Sequence, residues 1–204
     1  MRADAQRNAA KLRAAAAGLF QEQGLQVSLK EIARRAGVSH GTLYNLFGSR
    51  EALLDEVVAD LAAARLGAAA RRALSCPDAW EGFAGYVSEV CELQAVDPAM
   101  GDVLTRRFPD ASRLMAVCDN SFTAAESIIE RARLDGSLRA DFTASDLLFF
   151  FASHAPLARA AASAGSDAWR RGVAFMLDGL RTAAATPVPA GPMSVEQINR
   201  LLVP

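Results

Sequence analysis

The sequence predicts an all-α protein. Three observations carry that expectation. Apolar residues recur at three- and four-residue spacing along nearly the whole chain of 204 residues, runs of alternating β-branched residues are absent, and helix-start signatures alternate with Gly- and Pro-marked stops. The first helix covers about Asp4 to Gln23, with Leu12, Ala15, Ala16, Leu19 and Phe20 on one face and Gly24 as a left-handed stop. Ser28-Leu-Lys-Glu31 has the form of a capping box, in which the serine oxygen takes the Glu31 amide and the glutamate reaches back; it opens a short helix that Gly37 ends. Ser39 caps a third, about His40 to Leu46, with Leu43 and Phe47 toward the core.

Ser49 then caps a long helix whose stripe runs through Leu53, Leu54, Val57, Val58, Leu61 and Leu66 and ends near Leu74, before Ser75-Cys-Pro77. A domain boundary falls at its start, dividing residues 1–50 from 51–204. Asp78-Ala-Trp-Glu81 opens the next helix, ending at Asp97-Pro98, and a shorter one follows from about Met100 to Arg107. Further helices cover about Asp110 to Leu134 and Ala144 to Ala164, the latter capped by Thr143-Ala-Ser-Asp146. The last long helix carries Trp169, Val173, Met176, Leu177, Leu180 and Ala184. A Pro-rich stretch from Thr186 to Pro192 cannot continue it, but Ser194-Val-Glu-Gln197 starts one more short helix within a tail spanning residues 187–204.

Composition narrows the function. Half the residues (51%) are apolar, enough for a real core, and no stretch approaches a membrane span. Three cysteines without a CxxC pair and two distant histidines, His40 and His154, exclude a disulfide scaffold or a zinc module, so neither metal nor cofactor is expected. No Glu-x-x-His pair, nucleophile elbow or phosphate loop points to an enzyme. A cytoplasmic protein in a reducing compartment follows. The formal charge of −1 hides a division: residues 1–50 hold eight Lys and Arg against three Asp and Glu, a net of +5, and the rest carries −6. The basic end is the one that suits phosphates.

Two short helices joined by Ala36-Gly37-Val38-Ser39 make helix-turn-helix geometry, in which the second helix enters a DNA major groove. Residues 7–54, RNAAKLRAAAAGLFQEQGLQVSLKEIARRAGVSHGTLYNLFGSREALL, resemble as a block the N-terminal domain of TetR-family transcriptional regulators. The match includes Glu31-Ile-Ala33, Ala36-Gly-Val-Ser39, Gly41-Thr-Leu-Tyr44 with Phe47, and the Ser49-Arg-Glu-Ala-Leu start. Hydroxyls of Ser39, Thr42 and Tyr44 and the cations of Lys30 and Arg50 are candidates for phosphate oxygens, as matching positions in the family commonly are. His40, Gly41 and Asn45 are placed for base edges. Leu46 stands where the family usually has His or Tyr, so affinity is expected to lean on Arg34, Arg35 and Arg50.

The resemblance implies a six-helix C-terminal domain that binds an effector and dimerises. Asp97-Pro-Ala-Met, the Arg106-Arg-Phe-Pro-Asp110 turn, Glu130-Arg-Ala-Arg-Leu-Asp-Gly136 and Leu177-Asp-Gly-Leu-Arg181 share details with part of the family. The last two long helices would pair across a homodimer, which would read a pseudo-palindromic operator. A small, mostly apolar effector would enter among Phe83, Tyr86, Val90, Met115, Asp119, Phe122, Phe150 and His154, and its binding would release DNA, the behaviour of a repressor. His154, near Pro156 in an apolar helix, reads more readily as a hydrogen-bonded core or interface histidine than as an effector contact. Two alternatives stay open: a regulator without a small ligand, and a thiol sensor working through Cys76, since Cys91 and Cys118 sit on apolar stripes.

Overall fold

In the computed structural model, which describes residues 2–202, helices follow one another without a strand between them; the one ladder contact among these residues is an isolated bridge between Leu138 and Arg181. The N-terminal helices are α1 (Arg2–Gln23), α2 (Leu29–Ala36), α3 (His40–Phe47) and α4 (Arg50–Val57). Then come α5 (Ala59–Ser75), α6 (Ala79–Val96), α7 (Pro98–Thr105), α8 (Ser112–Leu134), α9 (Ala144–Ser163), α10 (Trp169–Leu180) and α11 (Val195–Leu201).

The start signals work as the sequence requires. Ser39, Ser49 and Asp78 accept the amides of Thr42, Ala52 and Glu81, and Thr143 and Ser194 form reciprocal capping boxes with Asp146 and Gln197. At Ser28 only half of the expected box forms. The serine takes the Glu31 amide, but the Glu31 carboxylate turns to Arg34, at 2.9 Å from its Nε. Gly37 ends α2 at φ 65°, the left-handed conformation that gives the turn its direction.

Two boundaries differ from expectation. The long helix after Ser49 divides at Val58, where φ is −106°, because its two parts serve different neighbours. Leu53 and Leu54 are buried with α4 against α1 and α3, whereas Ala62, Leu66 and Ala69 of α5 pack against α6 and α8. The last long helix stops at Leu180 instead of continuing to Ala184. Arg139 N donates to Leu180 O and Thr182 N to Ser137 O, both at 3.0 Å, so the chain after Leu180 is drawn into extended pairing with the α8–α9 connection.

Leu12, Leu19, Phe20, Ile32, Leu43 and Phe47 close the small N-terminal core, whose edge Arg13 and Glu56 pair across. Phe83, Val87, Val90, Leu114, Ile128, Leu147 and Phe151 fill the larger one between α5, α6, α8 and α9. Helix α1 packs directly on α7, so the two cores are joined. The tail folds back as well. Ile198 and Leu202 are buried beside α9, and Arg107 N donates to Leu202 O at 2.8 Å. No helix among the described residues is long and apolar enough to cross a membrane.

Candidate nucleic-acid interface and inner cavity

Helix α3 is eight residues long and buries one side only. Leu43 and Phe47 face inward, Leu46 packs half-buried against the same core, and His40, Gly41, Tyr44 and Asn45 point outward. Leu46 therefore serves packing, which accounts for an apolar residue at a place where a polar one was anticipated. Ser39 Oγ receives the Thr42 amide at 3.1 Å and lies 2.8 Å from Thr42 Oγ1, so both hydroxyls fix the start of the helix. The His40 ring stands edge-on to Tyr44, with centroids 4.9 Å apart, which orients two aromatic side chains on the open face. A Cβ on Gly41 would meet only Ser39 Oγ, at 3.9 Å. Nothing inside the protein demands glycine there.

The cations divide three ways. Lys30 is exposed and has no partner among the described residues. Arg34 and Arg35, also exposed, are each held by a carboxylate: Arg34 by Glu31, and Arg35 by Glu22 at 2.9 and 3.1 Å. The Arg35 guanidinium holds the Glu22 carboxyl below its usual range, and Arg34 does the same for Glu31. Arg50 departs from the expectation of a phosphate contact. Its guanidinium turns inward and donates to Val27 O at 2.6 Å and to Leu25 O, clamping the α1–α2 turn to the start of α4. Burial, the dominant cause, lowers its pKa; the nearby Glu51 and Asp102 act the other way.

Between α6, α7, α8 and α9 lies a narrow cavity of about 40 Å³, partly open to the surface. Of the eight residues expected to meet an effector, Tyr86 and Phe122 line it. The other six lie elsewhere. Phe83 and Val90 are fully buried in the main core, Phe83 against Trp80 and Phe142. Met115 is half-buried against that core, and the Asp119 carboxylate is exposed, 3.9 Å from Arg107. Phe150 and His154 stack on each other at 5.4 Å, with Trp169 edge-on to the histidine. His154 is buried, its Nδ1 3.4 Å from Gln94 Oε1 and its Nε2 without a partner, so a histidine of the packed interior describes it. Burial lowers its pKa below 6.5.

The cavity wall also holds residues that periodicity alone did not select. Leu147 and Phe151 come from one turn-spaced face of α9, Arg106 and Arg107 from the α7–α8 connection, and Leu202 from the tail. The double arginine was visible as part of a turn, but nothing local indicated that it borders a cavity. Cys118 lies on the same wall, where burial pushes its thiol up to about 11; burial lifts Tyr86 and Cys91 to about 12.

Two carboxylates join the halves. Asp102 of α7, 5% exposed, accepts Leu25 N at 2.7 Å and faces Arg106 Nε at 3.3 Å and an Arg159 terminal nitrogen at 3.4 Å. Gly24 makes this approach possible: at φ 86°, a Cβ there would lie 2.5 Å from Asp102 Oδ2. Asp55 of α4 accepts the first amides of α8.

Two short helices with an open polar face are thus joined to a larger helical part that contains a cavity. Residues 12–57 match the family model for bacterial regulatory proteins of the tetR family. Solved structures agree over most of its length. A TetR transcription regulatory protein from Mycobacterium vanbaalenii is 26% identical, with a TM-score of 0.50, over 88% of this chain and 98% of that one. The ketosteroid transcriptional regulator KstR2 of Mycobacterium tuberculosis, 19% identical, aligns with a TM-score of 0.57 over 86% and 95%. FadR from Bacillus subtilis in complex with stearoyl-CoA, 16% identical, aligns at 0.61 over 86% and 98%. No curated protein sequence matches the chain.

Proposed function

We propose that the protein is a dimeric repressor that holds a pseudo-palindromic operator through α3 and lets go when a small, mostly apolar effector fills the cavity beside α8. The observation that carries this reading is the outward face of α3. His40, Gly41, Tyr44 and Asn45 support no packing, and Gly41 has no internal reason to lack a side chain. Asn45 is suited to a bidentate bond with adenine, His40 to other base edges, and Ser39, Thr42, Tyr44 and Lys30 to phosphates. Arg34 joins them if a phosphate displaces or bridges its exposed pair with Glu31.

Residues 1–50 act as the reading head and 51–204 as the effector-binding and dimerising part. Phe149 and Leu157 of α9 and Phe175 of α10 are 52%, 71% and 66% exposed, an apolar surface suited to a second copy. FadR, crystallised with stearoyl-CoA, is a relative in fold whose ligand has a long apolar body, in keeping with an apolar effector here. Selection of bound sites from random duplex DNA should return two inverted half-sites about one helical turn, roughly 34 Å, or a small multiple apart. A selection that enriches a single asymmetric half-site, or nothing, would overturn the dimeric reading. Leu157→Glu should then yield a monomer with weakened operator binding.

A further inference from the structure

We propose that the cavity takes an amphipathic carboxylic acid, with its apolar body between α8 and α9 and its carboxylate on Arg106 beside Arg107, and that it draws Arg106 off Asp102 and loosens the hold of α7 on the reading head. The inference rests on the effector-release reading above and adds the chemical class of the ligand and the first contact it changes.

The charged side chains on the wall itself are cationic, each also faced by a carboxylate: Arg106 by Asp102 and Arg107 by Asp119, 3.9 Å away. Phe122, Leu147 and Phe151 supply apolar surface, Arg106 and Arg107 supply cations, and no Asp or Glu is among its lining residues. Tyr86 and Cys118 stay neutral near pH 7, so they do not offset the arginines. An apolar chamber with guanidinium groups at its border selects a ligand that is apolar along its length and anionic at one end.

Arg106 is the group able to report occupancy. Its Nε meets Asp102 Oδ1 at 3.3 Å, longer than the roughly 2.7–2.9 Å of a strong charge-assisted bond, so a ligand carboxylate has a closer contact to offer. Asp102 is buried, and its other guanidinium partner, Arg159, stands 3.4 Å away. A buried carboxylate that loses one of the guanidinium groups facing it is costlier to keep in place. The bond that suffers is the one to Leu25 N, in the turn between α1 and α2 whose Leu25 O is held by Arg50. The node is closely fitted as well: a Cβ on Gly101 would lie 2.8 Å from Arg159, so the three groups have little freedom to re-form elsewhere.

Calorimetry on the full chain with octanoate, decanoate and phenylacetate, each against its matching primary alcohol, tests the ligand class. At least one acid should bind about tenfold or more tightly than its alcohol, and Arg106→Gln should erase that preference. Equal binding of every acid and its alcohol, or a folded Arg106→Gln protein that keeps the preference, overturns the proposal; should that variant not fold, the wild-type comparison decides alone. Hydrogen exchange at the Leu25 amide reads the coupling without DNA: saturating acid should speed it severalfold, and unchanged protection overturns the relay. Operator binding by the ligand-free chain is scored separately, so a protein that takes the acid but never binds DNA refutes the regulator reading alone.

Discussion

The carboxylate of Asp55, near the end of α4, accepts the amide of Leu114 in the first turn of α8 at 2.8 Å and that of Arg113 at 3.1 Å. Helix α8 begins after Ala111, which has no side chain able to cap it, so its exposed amides and the positive end of its dipole are satisfied from a different helix. Arg113 returns the contact by donating to Asp55 O at 3.0 Å. The helix that follows the reading head is thereby fastened to a wall of the cavity.

Asp55→Ala should lower the unfolding free energy by about 1–2 kcal/mol, the usual worth of a helix cap, in urea denaturation. Asp55→Asn keeps an acceptor and should cost about half as much. Equal losses for the two would mean that the charge, and not the hydrogen bonds, carries the effect.

Arg50 and Lys30 separate a clamp from a phosphate contact. Arg50 donates to Leu25 and Val27 carbonyls, so Arg50→Ala should destabilise the reading head by about 1–3 kcal/mol while leaving the salt dependence of operator binding unchanged. Lys30 is exposed, so Lys30→Ala should leave stability unchanged and reduce the slope of log affinity against log salt by about one. Fluorescence anisotropy across a salt series measures both slopes. A reduced slope for Arg50→Ala would restore it to the phosphate side.

The contrast between these two residues shows what sequence reading reaches. Cap residues such as Ser39 and Thr143 act on amides three positions away, and the stripe of Leu12, Leu19 and Phe20 follows from a fixed helical period, so both are local and legible. Arg50 and Asp102 act on groups 25 and 77 residues distant, and no local pattern encodes which way a long side chain turns. The cavity has the same character. Tyr86 and Phe122 were recognisable as apolar residues on helix faces, but so were Phe83 and Val90, and only the crossing of α6, α8 and α9 decides which of them border open space.

His154 makes stability depend on pH. Its folded pKa lies below the ordinary 6.5 because burial penalises the charged ring, whereas the unfolded chain takes up its proton near 6.5. The unfolded state therefore binds more protons below that point, and the contribution present at higher pH is lost as pH falls from about 6.5 toward the folded value. Urea denaturation at steps from about pH 8 down to about pH 5 should show this decline, and His154→Phe should flatten it. Gln94, which faces Nδ1, does not titrate, and an unchanged slope in the variant would assign the decline to other groups.

Thiol reactivity should be confined to one site. Cys91 and Cys118 are held protonated, at about 12 and about 11, by burial; Cys91 lies in the packed core, and Cys118, half-buried, borders the cavity. Cys76 is half-buried in the α5–α6 connection. Under native conditions a thiol reagent should modify one cysteine rapidly, and Cys76→Ser should abolish that phase. If blocking Cys76 leaves operator affinity unchanged, thiol sensing is set aside, because burial holds the other two thiols protonated.

Gly41→Ala should move stability and DNA binding in opposite directions. In the second position of α3 an alanine Cβ has room, with Ser39 Oγ at 3.9 Å its nearest neighbour, and alanine favours a helix over glycine by up to about 1 kcal/mol. Folding alone therefore favours alanine. If the backbone of α3 must come close to base edges, the same methyl group meets DNA instead, and one lost or displaced base contact costs about 1–3 kcal/mol. A thermal melt should show the variant equal to or slightly above the parent, while operator titration shows a weakening of about tenfold or more. Unchanged affinity would place Gly41 outside the interface and would turn the reading toward Asn45 and His40, whose alanine variants measured on the same operator locate the contact surface.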